Sequence, residues 1–154
     1  HAWEFILNKN VIQSPTNFSL LCDINKLLEE GFYYNAGQIR SVPVSIGGTT
    51  WKPELPIESV VKEELEKILS ANLELIDKAI ELLLYVTKKQ IFIDGNKRTS
   101  VIFANHFIIS HGLGLLVIPE NRVEEYKKLL IAYYEGEDTE EIKRFLKDKC
   151  YLKI

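Results

Sequence analysis

Cysteine is scarce in this sequence: Cys22 and Cys150 are its only two, and they lie far apart in the chain. Two isolated thiols supply neither a disulfide framework nor a cluster of metal ligands. We therefore expect both to be packed, unpaired side chains in a reducing compartment, for which the cytoplasm is the default.

Long apolar runs are also missing, since the longest stretches of consecutive hydrophobic residues are short. A transmembrane helix needs about 20 consecutive, mainly apolar residues, and a signal peptide needs an apolar core of its own. The sequence predicts neither, and we expect no membrane partner.

Basic residues are not in excess. The chain has 19 lysines and arginines against 22 aspartates and glutamates, which gives a formal net charge of −3. Proteins that bind nucleic acid broadly through its phosphates need a basic surface. The charge balance therefore argues against a nucleic-acid partner, but it leaves room for a local basic pocket that holds one nucleotide.

What the sequence does contain is the composition of a globular protein: 154 residues, of which 46% are hydrophobic and 27% are charged. A chain of this length buries a substantial core without disulfides. Neither a repeat nor a linker divides it, so we expect residues 1–154 to form a single domain.

Helical periodicity dominates the pattern of apolar residues. The segment from about Asn96 to His111 is apolar nearly all round, which is typical of a helix at the centre of a bundle. The pattern predicts an all-α bundle of about six helices, at residues 18–30, 57–70, 72–89, 96–111 and 122–134 and after Asp138.

One segment, residues 42–51, has the pattern of a β-hairpin. Strand-forming residues flank the pair Gly47-Gly48, which supplies a tight turn. An isolated hairpin is marginally stable in water, so this one must pack on the helices or serve as an edge for another chain. Its strand formers include Val42, Val44, Ile46 and Thr49.

The most informative stretch is the loop before the apolar helix, residues 94–98, with the sequence DGNKR. The N–H groups of the first helical turn have no helical partner and point into the loop. Gly95 lacks a Cβ, so a phosphate can approach the backbone, and the helix dipole, Lys97 and Arg98 favour an anion there. Asp94 suits a Mg²⁺ held by phosphate oxygens. The loop predicts a nucleotide polyphosphate site, although a plain helix entry with solvated cations explains the spacing as well.

Residues 92–99 (FIDGNKRT) resemble the core motif of the Fic/Doc family (filamentation-induced-by-cAMP and death-on-curing), usually written His-Pro-Phe-x-Asp/Glu-Gly-Asn-Gly/Lys-Arg-Thr. Residues 34–40 (YNAGQIR) are similar to the family's Ala-Gly-x-x-Arg segment, which precedes a hairpin flap. The likeness covers about residues 20–150, and it places the motif core at residues 90–100 and the flap at about residues 42–51. It implies a Fic-type helical bundle with one β-hairpin flap.

The resemblance also implies an activity and its cofactors. Members of the family transfer AMP from ATP to a hydroxyl of a target protein. By position in the motif, Asp94 would hold a Mg²⁺ that bridges the phosphates, and Gly95 and Asn96 would contact phosphate. Arg98 would bind the β- and γ-phosphates, with Lys97 in the same nucleotide site, and Asn96 and Arg98 would also serve the catalytic step.

The resemblance further implies a target protein as partner. The flap would pair with a strand of that protein, a case of β-augmentation, and so present the hydroxyl in line. The residues of the flap that would make this contact are Val42, Val44, Ile46 and Thr49.

The chain departs from the family pattern in two ways: Gln90 and Ile91 replace the histidine and the proline at the head of the motif, and Lys97 replaces the glycine of many AMP-transferring members. Gln90 stands where the motif histidine would remove the proton from the target hydroxyl, and a glutamine amide does not accept a proton near neutral pH. His106 and His111 lie further along the helix and are poor replacements. Lys97 takes a position that is glycine in many AMP-transferring members, and lysine there resembles the Doc branch, some of which phosphorylate their targets.

Three functions therefore remain open at this point. The chain is a nucleotidyltransferase whose activity Gln90 reduces or alters, a non-catalytic module that binds nucleotide or a protein strand, or a Doc-like phosphotransferase. The first two predict the same fold and the same nucleotide pocket, and turnover separates them.

Family members often carry an inhibitory helix, whose glutamate pairs with an arginine of the motif. Glu30-Gly31 is the only partial match to its Ser/Thr-x-x-x-Glu-Gly/Asn pattern, and Lys26 occupies the Ser/Thr position. We interpret this match as coincidence, which leaves open a separate inhibitory partner.

Overall fold

The computed structural model describes residues 1–154 and is mostly helical, with eight α-helices and one two-stranded sheet. None of the helices is long and apolar enough to cross a membrane. The all-α fold class predicted from the sequence is confirmed. The helices are α1 (Ala2–Leu7), α2 (Lys9–Ile12), α3 (Phe18–Glu29), α4 (Glu58–Ser70), α5 (Leu75–Lys89), α6 (Asn96–Ser110), α7 (Val123–Tyr134) and α8 (Glu141–Phe145).

Helix α6 lies at the centre of the bundle, as its apolar sequence predicts. It contacts α1, α2, α3 and α5 and the first strand of the sheet. Residues on every side of α6 are buried, and its buried set includes polar side chains as well as apolar ones. Surrounding helices therefore fix the position of the residue at which α6 begins.

His106 is one of the buried polar side chains of α6. Its Nε2 lies 2.7 Å from the carbonyl oxygen of Val11, and its Nδ1 lies 2.7 Å from the hydroxyl of Thr16. Because a carbonyl can only accept, Nε2 carries the proton, and Nδ1 accepts from Thr16. Burial lowers the pKa of His106 below its usual value. This histidine ties the chain before α3 to the central helix, and it lies within the core.

The two-stranded sheet lies away from the predicted hairpin. Strand β1 (Gly114–Leu116) pairs antiparallel with β2 (Tyr151–Lys153), with Leu115 opposite Leu152. The Asn105 side chain accepts a hydrogen bond from the N–H of Leu116 (2.9 Å) and donates one to its carbonyl (2.7 Å). The β1–β2 sheet, which the sequence did not indicate, thereby attaches the final residues of the chain to α6.

The flap, residues 42–51, contains no paired strands, which corrects the predicted location of the hairpin. The turn at Gly47-Gly48 is present, and Gly48 has the positive φ of 88° that glycine favours. No backbone–backbone hydrogen bond involves residues 44–48. Pro43 has no N–H to donate to a neighbouring strand, and a two-stranded ribbon is marginal alone. The flap is therefore a loop whose first half has free backbone groups.

Two short helices, α1 and α2, precede the first predicted helix. They were not predicted because six and four residues carry too little periodicity. Ala2 and Ile6 of α1 are buried against the bundle. The predicted packing of the thiols is confirmed: Cys150 is buried, Cys22 is half-buried, and both are free.

Candidate functional site

The candidate site is the loop between α5 and α6. Helix α5 ends at Lys89, and Gln90 follows in the left-handed conformation with φ 49°, the only residue other than glycine with a positive φ. Gly95 precedes α6 with φ 77°, and the first helical hydrogen bond runs from the N–H of Thr99 to the Gly95 carbonyl (2.9 Å). The N–H groups before Thr99 have no helical partner, so they are available to an anion at this point.

Asn96 fastens the loop from within. Its side-chain oxygen accepts from the N–H of Phe92 (3.0 Å), and its amide donates to the Phe92 carbonyl (2.8 Å). The residue is buried at 4% exposure. Phe92 is buried as well, as expected for the anchor of the loop. A phosphate at the site would meet the backbone of Asn96, whereas its side chain already has protein partners.

Gln90, at the position of the family histidine, is also engaged. Its amide nitrogen donates to the carbonyl of Thr87 in the last turn of α5 (2.7 Å). Its side-chain oxygen accepts from the amide of Asn96 (3.2 Å). Neither atom accepts a proton near neutral pH, so no general base lies at the head of the motif.

The loop forms one wall of a cleft of about 400 Å³, and the first half of the flap forms the other. Of the flap residues predicted to contact a target, Val44 and Ile46 lie in this cleft. Val42 is half-exposed elsewhere, and the hydroxyl of Thr49 donates to Glu135 (2.5 Å). The residues that line the cleft are Val44, Ser45, Ile46, Gly47, Gln90, Ile93, Asp94, Gly95, Asn96, Lys97 and Arg98.

Three charged side chains of the motif lie at this cleft. Asp94 and Arg98 are 49% and 59% exposed, and the nearest atoms of their charged groups are 3.8 Å apart. Lys97 has no ion-pair partner, and partial burial together with the charge of Lys127 lowers its pKa. The cleft therefore has two cations, on Lys97 and Arg98, and the half-exposed carboxylate of Asp94 at the start of α6. The sequence predicts this pattern of charges for a nucleotide site.

A second carboxylate, which the sequence analysis missed, lies at the same place. Glu29, the last residue of α3, is only 3% exposed, and its Oε1 lies 2.5 Å from Nη2 of Arg98. A Cβ on residue 95 would overlap that oxygen, so glycine is required there by Glu29 as well as by its φ. The carboxylate occupies the space beside Gly95 that the sequence assigned to a phosphate.

The ionisation of Glu29 reflects this position. Burial raises the pKa of its carboxyl, and the neighbouring Asp94 carboxyl raises it further, while Arg98 acts in the opposite direction. The sequence carried one signal for this role. Leu21, Asn25 and Glu29 are spaced four residues apart, and all three are buried on the inner face of α3.

Asn25 connects α3 to the loop. Its amide donates to the carbonyl of Asp94 (3.0 Å) and to the hydroxyl of Thr99 (3.2 Å). Its oxygen accepts from the N–H of Gly37 (2.9 Å), a glycine whose missing Cβ lets it approach Lys26 and Cys22. The segment before the flap and the motif loop are therefore held by the same side chain.

Arg40 holds both ends of the flap to the start of the loop. Its guanidinium is buried and donates to the carbonyls of Gln90, Val42 (2.9 Å) and Glu54 (2.8 Å). Its backbone N–H donates to the Ile91 carbonyl (2.9 Å). No carboxylate pairs with it, and burial lowers its pKa. The arginine of the Ala-Gly-x-x-Arg segment thus joins the flap and the motif into one assembly.

The fold and the site define a helical bundle with a glycine loop at the start of its central helix. The Fic/DOC family profile matches residues 15–108, which include both the Ala-Gly-x-x-Arg segment and the whole motif core. The chain belongs to the Fic/DOC family. No curated protein matches it significantly.

Two solved structures share this fold. A Fic domain containing signaling protein from Bacteroides thetaiotaomicron aligns with a TM-score of 0.67 at 19% identity, over 84% of this chain and 52% of that chain. Fic-1 from C. elegans aligns with a TM-score of 0.70 at 19% identity, over 95% of this chain and 44% of that one. The chain spans about half the length of these two proteins, and at such identity the likeness concerns the fold alone.

Proposed function

We propose that the chain binds the phosphates of a nucleotide such as ATP in the cleft between the flap and the start of α6. The observation that carries the proposal is the arrangement around Gly95: free N–H groups of a helix start, a cation on Arg98 and a second on Lys97 converge on one cleft. Helix dipole, backbone donors and guanidinium all favour the same kind of ligand there, a phosphate.

The side chains at the loop also suit Mg²⁺. This ion prefers hard oxygen ligands and usually binds through one or two carboxylates together with substrate phosphates. Asp94 offers a half-exposed carboxylate at the rim of the cleft, and Glu29 lies next to it. When bound, the ion would neutralise charge on the phosphates, and Asp94 is the residue that would hold it.

The reaction we assign to the site is the transfer of AMP from ATP to a hydroxyl of a target protein, at a low rate. Arg98 and the α6 start would bind and orient the phosphates. The target hydroxyl would attack the α-phosphate, pyrophosphate would leave, and the hydroxyl proton would pass to water and not to residue 90, because the Gln90 amide is no base. Loss of a general base typically costs on the order of 10²- to 10⁴-fold in rate.

A non-catalytic role is the second candidate, and two contacts favour it. The Gln90 side chain bonds to Thr87 and Asn96 and so helps to hold the loop. Glu29 lies where a phosphate would lie, so the resting site is already neutralised by the chain's own carboxylate. Such a protein would bind nucleotide, or a protein strand at the flap, without turnover. A Doc-like phosphate transfer is supported by Lys97 alone and shares the absence of a base.

Calorimetry with MgATP and MgADP tests the nucleotide site. Arg98→Ala should weaken binding by about 1.5–3 kcal/mol, the scale of a hydrogen bond to a charged group. Arg122→Ala is the matched control, because Arg122 is an arginine paired with Glu125 outside the cleft and should leave affinity unchanged. Equal affinity of the wild type and Arg98→Ala would refute the site.

Incubation with ATP labelled separately at the α- and γ-phosphates distinguishes the candidate activities. Weak transfer of the α-label to protein supports AMP transfer, and transfer of the γ-label supports the Doc-like alternative. Binding with no transfer of either label supports the non-catalytic module.

A further inference from the structure

The flap is asymmetric in how it is held. Its first half, residues 44–47, lines the cleft and makes no backbone hydrogen bond. Its second half contacts the C-terminal part of α7: the Thr49 hydroxyl donates to Glu135, and a Cβ on Gly48 would lie 2.9 Å from a methyl group of Ile131. Apart from the Arg40 contact at Val42, the flap is therefore held to the helices through its second half.

Trp51 is the largest side chain of that second half. Its indole stacks on the ring of Tyr134, with ring centroids 5.5 Å apart and planes inclined by 18°. Tyr134 is itself buried, at 2% exposure, so the indole packs on a side chain that the bundle holds still. Stacked aromatic pairs at this separation are attractive beyond their area of contact.

A cation covers the same indole. The ammonium of Lys88 lies 5.5 Å from the centroid of Trp51 and 5.2 Å from that of Tyr133, within the range of a cation–π interaction. Lys88 forms no ion pair, unlike its neighbour Lys89, which pairs with Glu64. Its charge is therefore directed at the two rings, and tryptophan is the best ring partner for a cation.

These contacts join the flap to the helix that leads into the motif. Lys88 lies in the last turn of α5, two residues before Gln90. A neighbouring cleft of about 490 Å³ is lined by Trp51, Lys88 and Tyr133, among others, so the three side chains lie on the side of the flap away from the nucleotide cleft. Arg40 holds the backbone at Val42 and Glu54, and this cluster holds Trp51 between them.

We propose that Lys88 is a positioning residue: its ammonium bridges the rings of Trp51 and Tyr133, keeps Trp51 stacked on Tyr134, and so fixes the flap wall of the nucleotide cleft. The residue touches neither nucleotide nor target. The inference about Lys88 rests on the proposed function in one respect: the wall that Lys88 fixes is the one that a target protein would approach.

The test is a measurement of backbone order by NMR relaxation in the wild type, Lys88→Met and Lys88→Arg. Methionine keeps the apolar stem and removes the charge, whereas arginine keeps a cation. Lys62→Met is the matched control, because the ammonium of Lys62, on α4, lies 5.5 Å from the centroid of the Phe18 ring at the start of α3. Order parameters of about 0.85 mark a rigid backbone and values below about 0.6 a flexible one.

The expected result is a fall of the order parameters of residues 44–51 from about 0.85 to below about 0.6 in Lys88→Met alone. The amides of α6 should not change, and Lys88→Arg should behave as the wild type. A flap that stays rigid in Lys88→Met, a flap already flexible in the wild type, or an equal loss of order in α6 would each overturn the proposal. Calorimetry with MgADP on the same samples keeps the questions separate: absence of binding to the wild type would refute the proposed nucleotide site and leave the NMR result to decide the role of Lys88.

Discussion

Glu29 and Arg98 form an ion pair across the glycine of the motif loop, with 2.5 Å between Oε1 and Nη2. The two residues come from α3 and α6 and are 69 positions apart in the sequence. The carboxylate is almost completely buried, whereas the guanidinium is 59% exposed, so Arg98 has a free side that faces the cleft. An incoming phosphate therefore competes with a carboxylate of the chain itself for the same arginine.

Neutralising Glu29 should make nucleotide binding tighter. Glu29→Gln keeps the shape of the side chain but removes the charge that repels a phosphate and occupies Arg98. We expect an affinity gain of about tenfold for MgATP, given the usual strength of a hydrogen bond to a charged group. Glu30→Gln, the adjacent exposed glutamate, is the control, and isothermal calorimetry is the measurement. Equal gains in the two variants would show only a change in net charge.

Restoring a base at residue 90 should raise AMP transfer. Histidine is among the residues that accept a positive φ most readily, so Gln90→His fits the backbone. We expect about 10²- to 10⁴-fold more α-label on protein, with nucleotide affinity little changed because the base acts in the transition state. Gln90→Asn, which fits the same backbone without a base, should stay at the low rate of the unmodified chain. Efficient labelling by the unmodified chain would contradict the assignment of Gln90.

Stability should fall below neutral pH because of His106. Its pKa is lowered in the folded state by burial, so the unfolded chain takes up a proton first as the pH falls. The contribution of His106 is fully present above its unfolded value of about 6.5 and is lost as the pH falls through the lower folded pKa. Urea unfolding between about pH 5 and 7.5 should show this slope. The fall in stability between these pH values should persist in His111→Gln and disappear in a His106→Gln variant that still folds.

Two tyrosines, the buried Tyr134 and the partly buried Tyr85, should respond in opposite ways to loss of the hydroxyl. The Tyr134 hydroxyl is buried with no hydrogen-bond partner in the protein, whereas that of Tyr85 donates to Glu64 (2.7 Å). Tyr134→Phe keeps the stack on Trp51 and should leave stability unchanged or raise it by about 1 kcal/mol. Tyr85→Phe should lower stability by about 0.5–1.5 kcal/mol. Destabilisation of both by the same amount in urea would contradict the contacts described.

The long helices were predictable because each repeats its apolar residues at the helical period over many residues. The central position of α6 followed from the absence of a polar face, and the turn at Gly47-Gly48 followed from local preference. Strand pairing was not predictable, because it depends on a partner strand elsewhere in the chain. Residues 114–116 pair with residues at the end of the chain, and the flap pairs with no strand.

The candidate site likewise has a part that the sequence predicted and a part that it did not. The placement of the motif-loop residues was predictable because it is local to a helix start, and the structure brings Asp94, Gly95, Lys97 and Arg98 to one cleft. Glu29 was not, because its role arises only when α3 packs on α6. The partial match at Glu30 was interpreted as coincidence; that residue is exposed, but its neighbour Glu29 makes the contact with Arg98.

Arg40 holds residue 90 by its main-chain carbonyl and not by its side chain. The contact with Arg40 therefore does not depend on which side chain stands at position 90, although Gln90 adds side-chain hydrogen bonds to Thr87 and Asn96. On the proposed function, a single substitution at position 90 would alter the catalytic step while Arg40 keeps its hydrogen bond to the main chain there.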